Sequence, residues 1–280
     1  MRIIAAAALT PVIRRLCIRA NTVLPSGVRA AIGDFRAREP WEPAGAVLDK
    51  IIENNELARS ASMPLCQDTG AACVFLEAGE EVHIEGSIRE AVDEGVRQGY
   101  REGRLRASMV SDPLNGRVNT GGNTPAILYF EIVPGSALTV TVAPKGAGSE
   151  NMSALAMLTP SQGRGGVVDF VLSTVTRAGP NPCPPVVLGV GIGGNFDRAA
   201  VLAKKALLRP PGSRHADPYY AELERELLEK VNALGIGPMG TGGFTTALSV
   251  ACETAPTHIA SLPCAVNINC HVCRHASESL

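Results

Sequence analysis

The chain has 280 residues, enough to bury a large core, and with 19% charged residues and a net charge of −1 it offers no basic field for nucleic acid or anionic lipid. Aromatics at 4% also argue against a base-stacking surface. No run reaches the ~18–20 apolar residues of a membrane span. Eight cysteines without a convincing signal peptide point to a soluble cytoplasmic protein with reduced thiols, some of them reactive or metal-binding.

The opening MRIIAAAAL briefly resembles a leader, but Pro11, Arg14 and Arg15 interrupt it, and an amphipathic helix through about Ala20 is the better reading. Val47, Leu48, Ile51, Ile52 and Leu57 recur at helical spacing over 46–58. Pro64 and Gly70 then bracket a shaped loop that carries Cys66, Gln67, Asp68 and Thr69 in succession. Ala71–Leu76 reads as an apolar strand. Ser87 and Glu90 form a capping box that opens a helix through Tyr100. A basic loop with Arg104 and Arg106 follows. Ala126–Val133 and Ala137–Ala143 read as two strands of a hairpin turned at Pro134-Gly135.

Lys145–Asn151 is a glycine-rich loop before a short helix, and Gly165–Arg177 is a helix. Pro182-Cys183-Pro184-Pro185 breaks the chain ahead of a buried strand at Val186–Val190. Arg198–Leu208 is helical, and Asp217-Pro218 caps a further helix that closes at Gly235. Thr245–Cys252, Thr257–Leu262 and Ala265–Cys270 alternate as strands do. Strands and helices interleave with both hairpins and crossovers, which predicts a mixed α/β fold forming one catalytic domain over residues 1–280.

Gly189-x-Gly191-x-x-Gly194 matches the dinucleotide fingerprint literally. The second strand and acidic residue that should follow are replaced by Arg209-Pro210-Pro211-Gly212. Gly235-x-Gly237-x-x-Gly240 repeats the match, but Pro238 removes an amide a pyrophosphate would need. A nicotinamide-dependent oxidoreductase is therefore the weaker enzymatic alternative. Strings of glycine amides also suit a substrate carboxylate, for which Lys145–Asn151 is best placed, although a plain tight turn reads equally well. Cys270-x-x-Cys273, with His271 and His275, suggests a zinc-stabilised, non-enzymatic subunit, but no second pair at similar spacing supports it. Spacing alone does not select ligands among the eight cysteines.

Taken together, several stretches resemble the α-subunit of class I (iron–sulfur) fumarate hydratases and L(+)-tartrate dehydratases. They are Cys66-Gln67-Asp68-Thr69-Gly70, Lys145-Gly146-Ala147-Gly148-Ser149-Glu150-Asn151, Pro182-Cys183-Pro184-Pro185, Gly191-Ile192-Gly193-Gly194, Gly237-Pro238-Met239-Gly240, Thr257-His258 and Asn269-Cys270-His271-Val272-Cys273-Arg274-His275. They follow the family's order from about Ile13 to Ala276.

The resemblance implies a [4Fe–4S] cluster on Cys66, Cys183 and Cys270, whose open iron acts as a Lewis acid. Cys273 departs from the family pattern; of a competing ligand and a buried spare, the spare is the expected reading. The resemblance also implies Asp68 as acid/base, Gln67 and Arg106 as substrate contacts, the Gly146 and Gly148 amides as oxygen donors, and His258 as a catalytic histidine. The implied substrate is a C4 dicarboxylate, fumarate/(S)-malate ahead of tartrate. Family members carry further groups on a swivelling domain. Its absence from this chain implies a separate β-subunit in an α2β2-like assembly.

Overall fold

The computed structural model describes residues 2–280. In chain order the elements are β1 (Arg2–Ala5), α1 (Leu9–Thr22), α2 (Ser26–Arg38), α3 (Glu42–Ala61), β2 (Ala71–Gly79), β3 (Val82–Glu85), α4 (Ile88–Glu102), β4 (Ile127–Val133), β5 (Leu138–Lys145) and α5 (Ala147–Glu150). They continue with β6 (Ala154–Leu158), α6 (Gly163–Ala178), β7 (Val186–Gly194), α7 (Phe196–Ala206), α8 (Pro218–Asn232), β8 (Ala247–Thr257), β9 (Leu262–Asn269) and β10 (Ala276–Ser279). The mixed α/β class follows directly. No helix among the described residues is long and apolar enough to cross a membrane. The chain forms two compact units, residues 2–25, 55–147 and 274–280 in the first and Ser26–Asn54 with Gly148–Cys273 in the second.

In the first unit a four-stranded sheet runs β10-β5-β2-β4. β2 is central because Ala72–Leu76 is a continuous buried run, which suits a strand covered on both sides. β5 pairs with it antiparallel and β4 parallel. The expected hairpin between β4 and β5 is therefore corrected: β2 lies between them. Pro134-Gly135 does turn the chain, but β4 is left on the sheet edge, where Ile127, Phe130 and Ile132 are exposed. Helix α1 buries Leu9, Val12, Ile13, Leu16, Cys17 and Ala20, a stripe at helical period that packs with α4 on the same core. α4 begins where the capping box placed it, with Ser87 Oγ accepting from Glu90 N. The first helix is shorter than its sequence suggests, since Arg2–Ala5 pairs with β3 as a strand.

In the second unit the sheet order is β6-β9-β7-β8, with β7 parallel to β8 and antiparallel to β9. Val186, Leu188, Val190 and Ile192 alternate onto one face of β7 and share a core with α6 and α8. Full burial of a side chain such as Leu227 of α8 contributes roughly 1.5–3 kcal/mol. α8 is capped as expected, Asp217 Oδ1 accepting from Tyr219 N at 2.8 Å ahead of Pro218. The other face of β7 carries Gly189 and Gly191, against which α7 lies. A Cβ on Gly189 would stand 2.0 Å from the Ala203 carbonyl, and one on Gly191 2.0 Å from that of Ala199. The fingerprint-like glycines therefore serve close helix–strand packing.

Candidate active site

In the first unit the Cys66–Gly70 loop leads into β2. Leu65 anchors it, buried and donating its N–H to Asn21 O at 2.8 Å. The next three residues turn outward: Cys66 and Asp68 are half-buried and Gln67 is exposed. The carbonyls beyond them turn inward. Arg274 Nη2 donates to Asp68 O, the Tyr100 hydroxyl donates to Thr69 O and Gly70 O at 2.8 Å each, and Asn123 Nδ2 reaches Gly70 O at 3.0 Å. Thr69, itself buried, donates its hydroxyl to Arg106 O at 2.9 Å, which fixes the backbone of Arg106 beside the loop; the residue is exposed. Gly70 is required where it stands: its φ is +73°, and a Cβ would lie 2.7 Å from the backbone of Lys145.

Asp68 joins two of the stretches singled out in the sequence. Its Oδ1 accepts from Gly70 N at 3.0 Å, closing an Asx-turn, and its Oδ2 accepts from Ala147 N at 2.9 Å in the Lys145–Asn151 loop. Gly146 lies against that carboxylate, so close that a Cβ would come within 3.1 Å of Oδ2. Gly148, in α5, is exposed with open space at its Cα.

In the second unit Cys183 and Cys270 lie on neighbouring loops at one end of the sheet. Cys183 precedes β7, while Cys270 follows β9, whose Asn269 pairs with Val187. His271 Nδ1 donates to Cys183 O at 3.0 Å and ties the two loops together. Cys183 is exposed and left-handed, φ 54°, a conformation few non-glycine residues adopt. Ser149 Oγ bonds Asn269 Oδ1 at 3.3 Å, and Asn267 and Lys204 both reach the Glu150 carboxylate, at 2.8 and 2.5 Å. The end of α5 is thus braced to the strand that leads to Cys270. Cys273 is buried with its Sγ 3.5 Å from Leu207 O.

His258 is placed elsewhere. Thr257–Leu262 is not the expected strand: Thr257 ends β8, Leu262 begins β9, and residues 258–261 between them form a turn in which His258 Nδ1 accepts from Ala260 N at 3.1 Å. Thr257 pairs with Gly194, the last residue of β7, so His258 lies at the opposite end of the sheet from Cys183 and Cys270, ~25 Å away at ~3.3 Å per residue. It lines a cavity of about 340 Å³ with Arg164, Tyr219 and Tyr220.

The eight thiols divide by burial. Cys17, Cys73, Cys252, Cys264 and Cys273 are buried, whereas Cys66 and Cys270 are half-buried and Cys183 is exposed. Burial pushes Cys17 and Cys264 up to about 12, and burial reinforced by Glu224 raises Cys252 further. Such thiols resist becoming the thiolates that bind iron. Cys66, Cys183 and Cys270 are the three thiols that burial leaves accessible. Among the described residues no group of three or more His, Cys, Asp or Glu forms a ready cage for a metal ion, so the fit is one of donor chemistry and access.

The chain is a member of the fumarate hydratase family: the family model described as fumarate hydratase (Fumerase) matches residues 10–279. It is 45% identical over 278 residues to the putative L(+)-tartrate dehydratase subunit alpha of Methanocaldococcus jannaschii, covering 97% of each chain. To the L(+)-tartrate dehydratase subunit alpha of Escherichia coli strain K12 it is 31% identical over 264 residues, 94% of this chain and 87% of the relative.

The sequence reasoning missed Tyr100 and Asn123 as loop supports and gave Arg274 no role of its own. Asn123 had a signal in the breaker run Gly121-Gly122-Asn123-Thr124-Pro125, and Arg274 had one in its place beside the last cysteine motif. Tyr100 reads only as one more residue on a helix face.

Proposed function

We propose that the chain is the α-subunit of a [4Fe–4S] hydro-lyase that reversibly adds water to a C4 dicarboxylate, with fumarate and (S)-malate as the pair. The observation that carries this is the agreement between two independent selections. Burial sets apart the same three cysteines, Cys66, Cys183 and Cys270, that the family resemblance nominates. When bound, the cluster supplies a Lewis acid that makes the substrate hydroxyl a better leaving group. A reducing, cytoplasmic setting suits such ligands.

The chain's own residues carry the remaining work. Asp68 moves the proton at its carboxylate, which the Gly70 and Ala147 amides hold in one orientation. Gln67 hydrogen-bonds the substrate. Arg106 grips one carboxylate, and the Gly146 and Gly148 amides donate to a substrate oxygen. His258 stands too far along its own sheet to serve the cysteines of the same unit, so it acts in the site of a second copy. The relatives are named as alpha subunits, which supports a β-subunit partner, and a second copy is in keeping with α2β2. Those same names favour a second reading, dehydration of L(+)-tartrate.

The test is co-expression with a β-subunit, anaerobic loading with iron and sulfide, and turnover on fumarate, (S)-malate and both tartrate enantiomers. The expected product is a brown protein that turns over fumarate fastest and loses its colour on Cys66→Ser. Faster turnover of L(+)-tartrate selects the second reading. A colourless protein holding zinc, or one inert toward every C4 diacid, refutes both.

A further inference from the structure

Arg274 has no part in the chemistry assigned so far, yet it lies directly behind the Cys66–Gly70 loop. It is 4% exposed, and its Nη2 donates to the carbonyl of Asp68. Its Nε and Nη1 are buried without a hydrogen-bond partner, so no carboxylate neutralises the guanidinium through a hydrogen bond. An uncompensated buried cation costs several kcal/mol, and an apolar side chain of similar volume generally packs at least as well. Stability alone therefore does not account for an arginine here.

What the side chain does supply is a hold on one peptide. The carbonyls of Asp68, Thr69 and Gly70 are all gripped from the interior, but Tyr100 and Asn123 act only on Thr69 and Gly70. Arg274 acts on the peptide of Asp68 itself. Fixing that carbonyl fixes the plane from which the side chain departs toward its two amide donors. Tyr100 does not replace it, since a hydroxyl already shared between two carbonyls has no further proton to give.

We propose that Arg274 is a positioning residue for the hydration chemistry, its hydrogen bond to the Asp68 carbonyl setting the direction of the Asp68 carboxylate. This rests on Asp68 being the acid/base. The experiment compares Arg274→Met and Arg274→Lys in the α/β enzyme loaded with iron and sulfide, and measures hydrogen exchange on the metal-free α-chain.

In Arg274→Met, amides of residues 66–71 should exchange at least about tenfold faster while residues 186–194 stay unchanged. At unchanged iron content kcat should fall about 10²-fold with KM within about threefold. Arg274→Lys, which keeps one donor nitrogen without the fixed fork, should recover about tenfold of that loss and stay about tenfold below wild type. Wild-type exchange and wild-type kcat in Arg274→Met overturn the proposal, as does a loss of activity matched by a loss of iron. If Arg274→Met does not fold, Arg274→Lys is read by both measures, and wild-type values in each overturn it. An inert wild-type enzyme would sink the hydro-lyase reading and this role with it. An active wild type whose loop exchange ignores position 274 would sink this role alone.

Discussion

Gly146→Ala probes the carboxylate geometry by a small, calculable push. A methyl there would point at Asp68, 3.1 Å from Oδ2 and 3.6 Å from the carboxyl carbon, with nothing else within 4 Å. Ordinary contact begins near 3.4 Å, so the carboxylate must retreat by about 0.3 Å, lengthening its bond from Ala147 N. A misplacement of about 1 Å costs roughly 10²-fold, or about 2.7 kcal/mol. Scaled linearly, a shift of about 0.3 Å is worth about 0.8 kcal/mol, a kcat lower by about fourfold.

Stability should stay within about 0.5 kcal/mol, because only a side chain has to give. Gly70→Ala is the contrast: at φ +73° and with the Lys145 backbone 2.7 Å from the new methyl, it should cost about 2 kcal/mol or more. The assay pairs steady-state kinetics of the α/β enzyme with urea unfolding of the α-chain. The geometry is refuted if Gly146→Ala leaves kcat untouched, or if it destabilises the chain as much as Gly70→Ala does.

Gly191→Ala would place a methyl 2.0 Å from Ala199 O and 2.6 Å from Ala203 N, and should lower stability by about 3 kcal/mol in urea unfolding. Added NAD should shift neither this variant nor the wild type; a nicotinamide site would make the wild type respond. Glu39→Gln tests a buried carboxylate that accepts from Thr245 Oγ1 and from the N–H groups of Phe244, Trp41 and Thr245. Burial pushes its pKa up, but these donors outweigh burial and hold it below the usual carboxylate range. The stability it contributes is complete above the unfolded value of about 4.3 and is lost as pH falls through the lower folded value. Glu39→Gln should cost about 2–3 kcal/mol at pH 7 in urea unfolding, and the gap to wild type should close in acid.

Local rules located elements well and pairings poorly. Ser87 with Glu90 and Asp217 with Pro218 mark helix starts because a cap is satisfied within three residues. The β4–β5 hairpin failed because partner choice depends on which strand the core covers, and β2 outranks the turn at Pro134-Gly135. Thr257–Leu262 failed because so short an alternation does not exclude a turn, and the His258 ring closes one. β6 stands where a short helix was expected after Asn151, the helix being instead the single turn at Ala147–Glu150, and α2 lacked any pattern strong enough to stand out. In the candidate site, Cys66, Gln67 and Asp68 were legible because one loop carries them all. The grips of Tyr100, Asn123 and Arg274 were not, since each reaches carbonyls 30 or more residues away and a carbonyl is the same in every residue.

The partition of the thiols also decides where damage falls. Peroxide attacks accessible sulfur as thiolate and leaves buried thiols inert. A metal-free chain in air would be oxidised first at Cys183, and next at Cys66 and Cys270, while the five buried cysteines stay intact. With the proposed cluster on these three thiols, the fold would survive an oxidative insult that costs it the capacity to be reloaded. Sulfenic acids at these positions can still be reduced by a thiol, whereas sulfinic acids cannot, so the interval between losing iron and regaining it sets how much protein remains repairable.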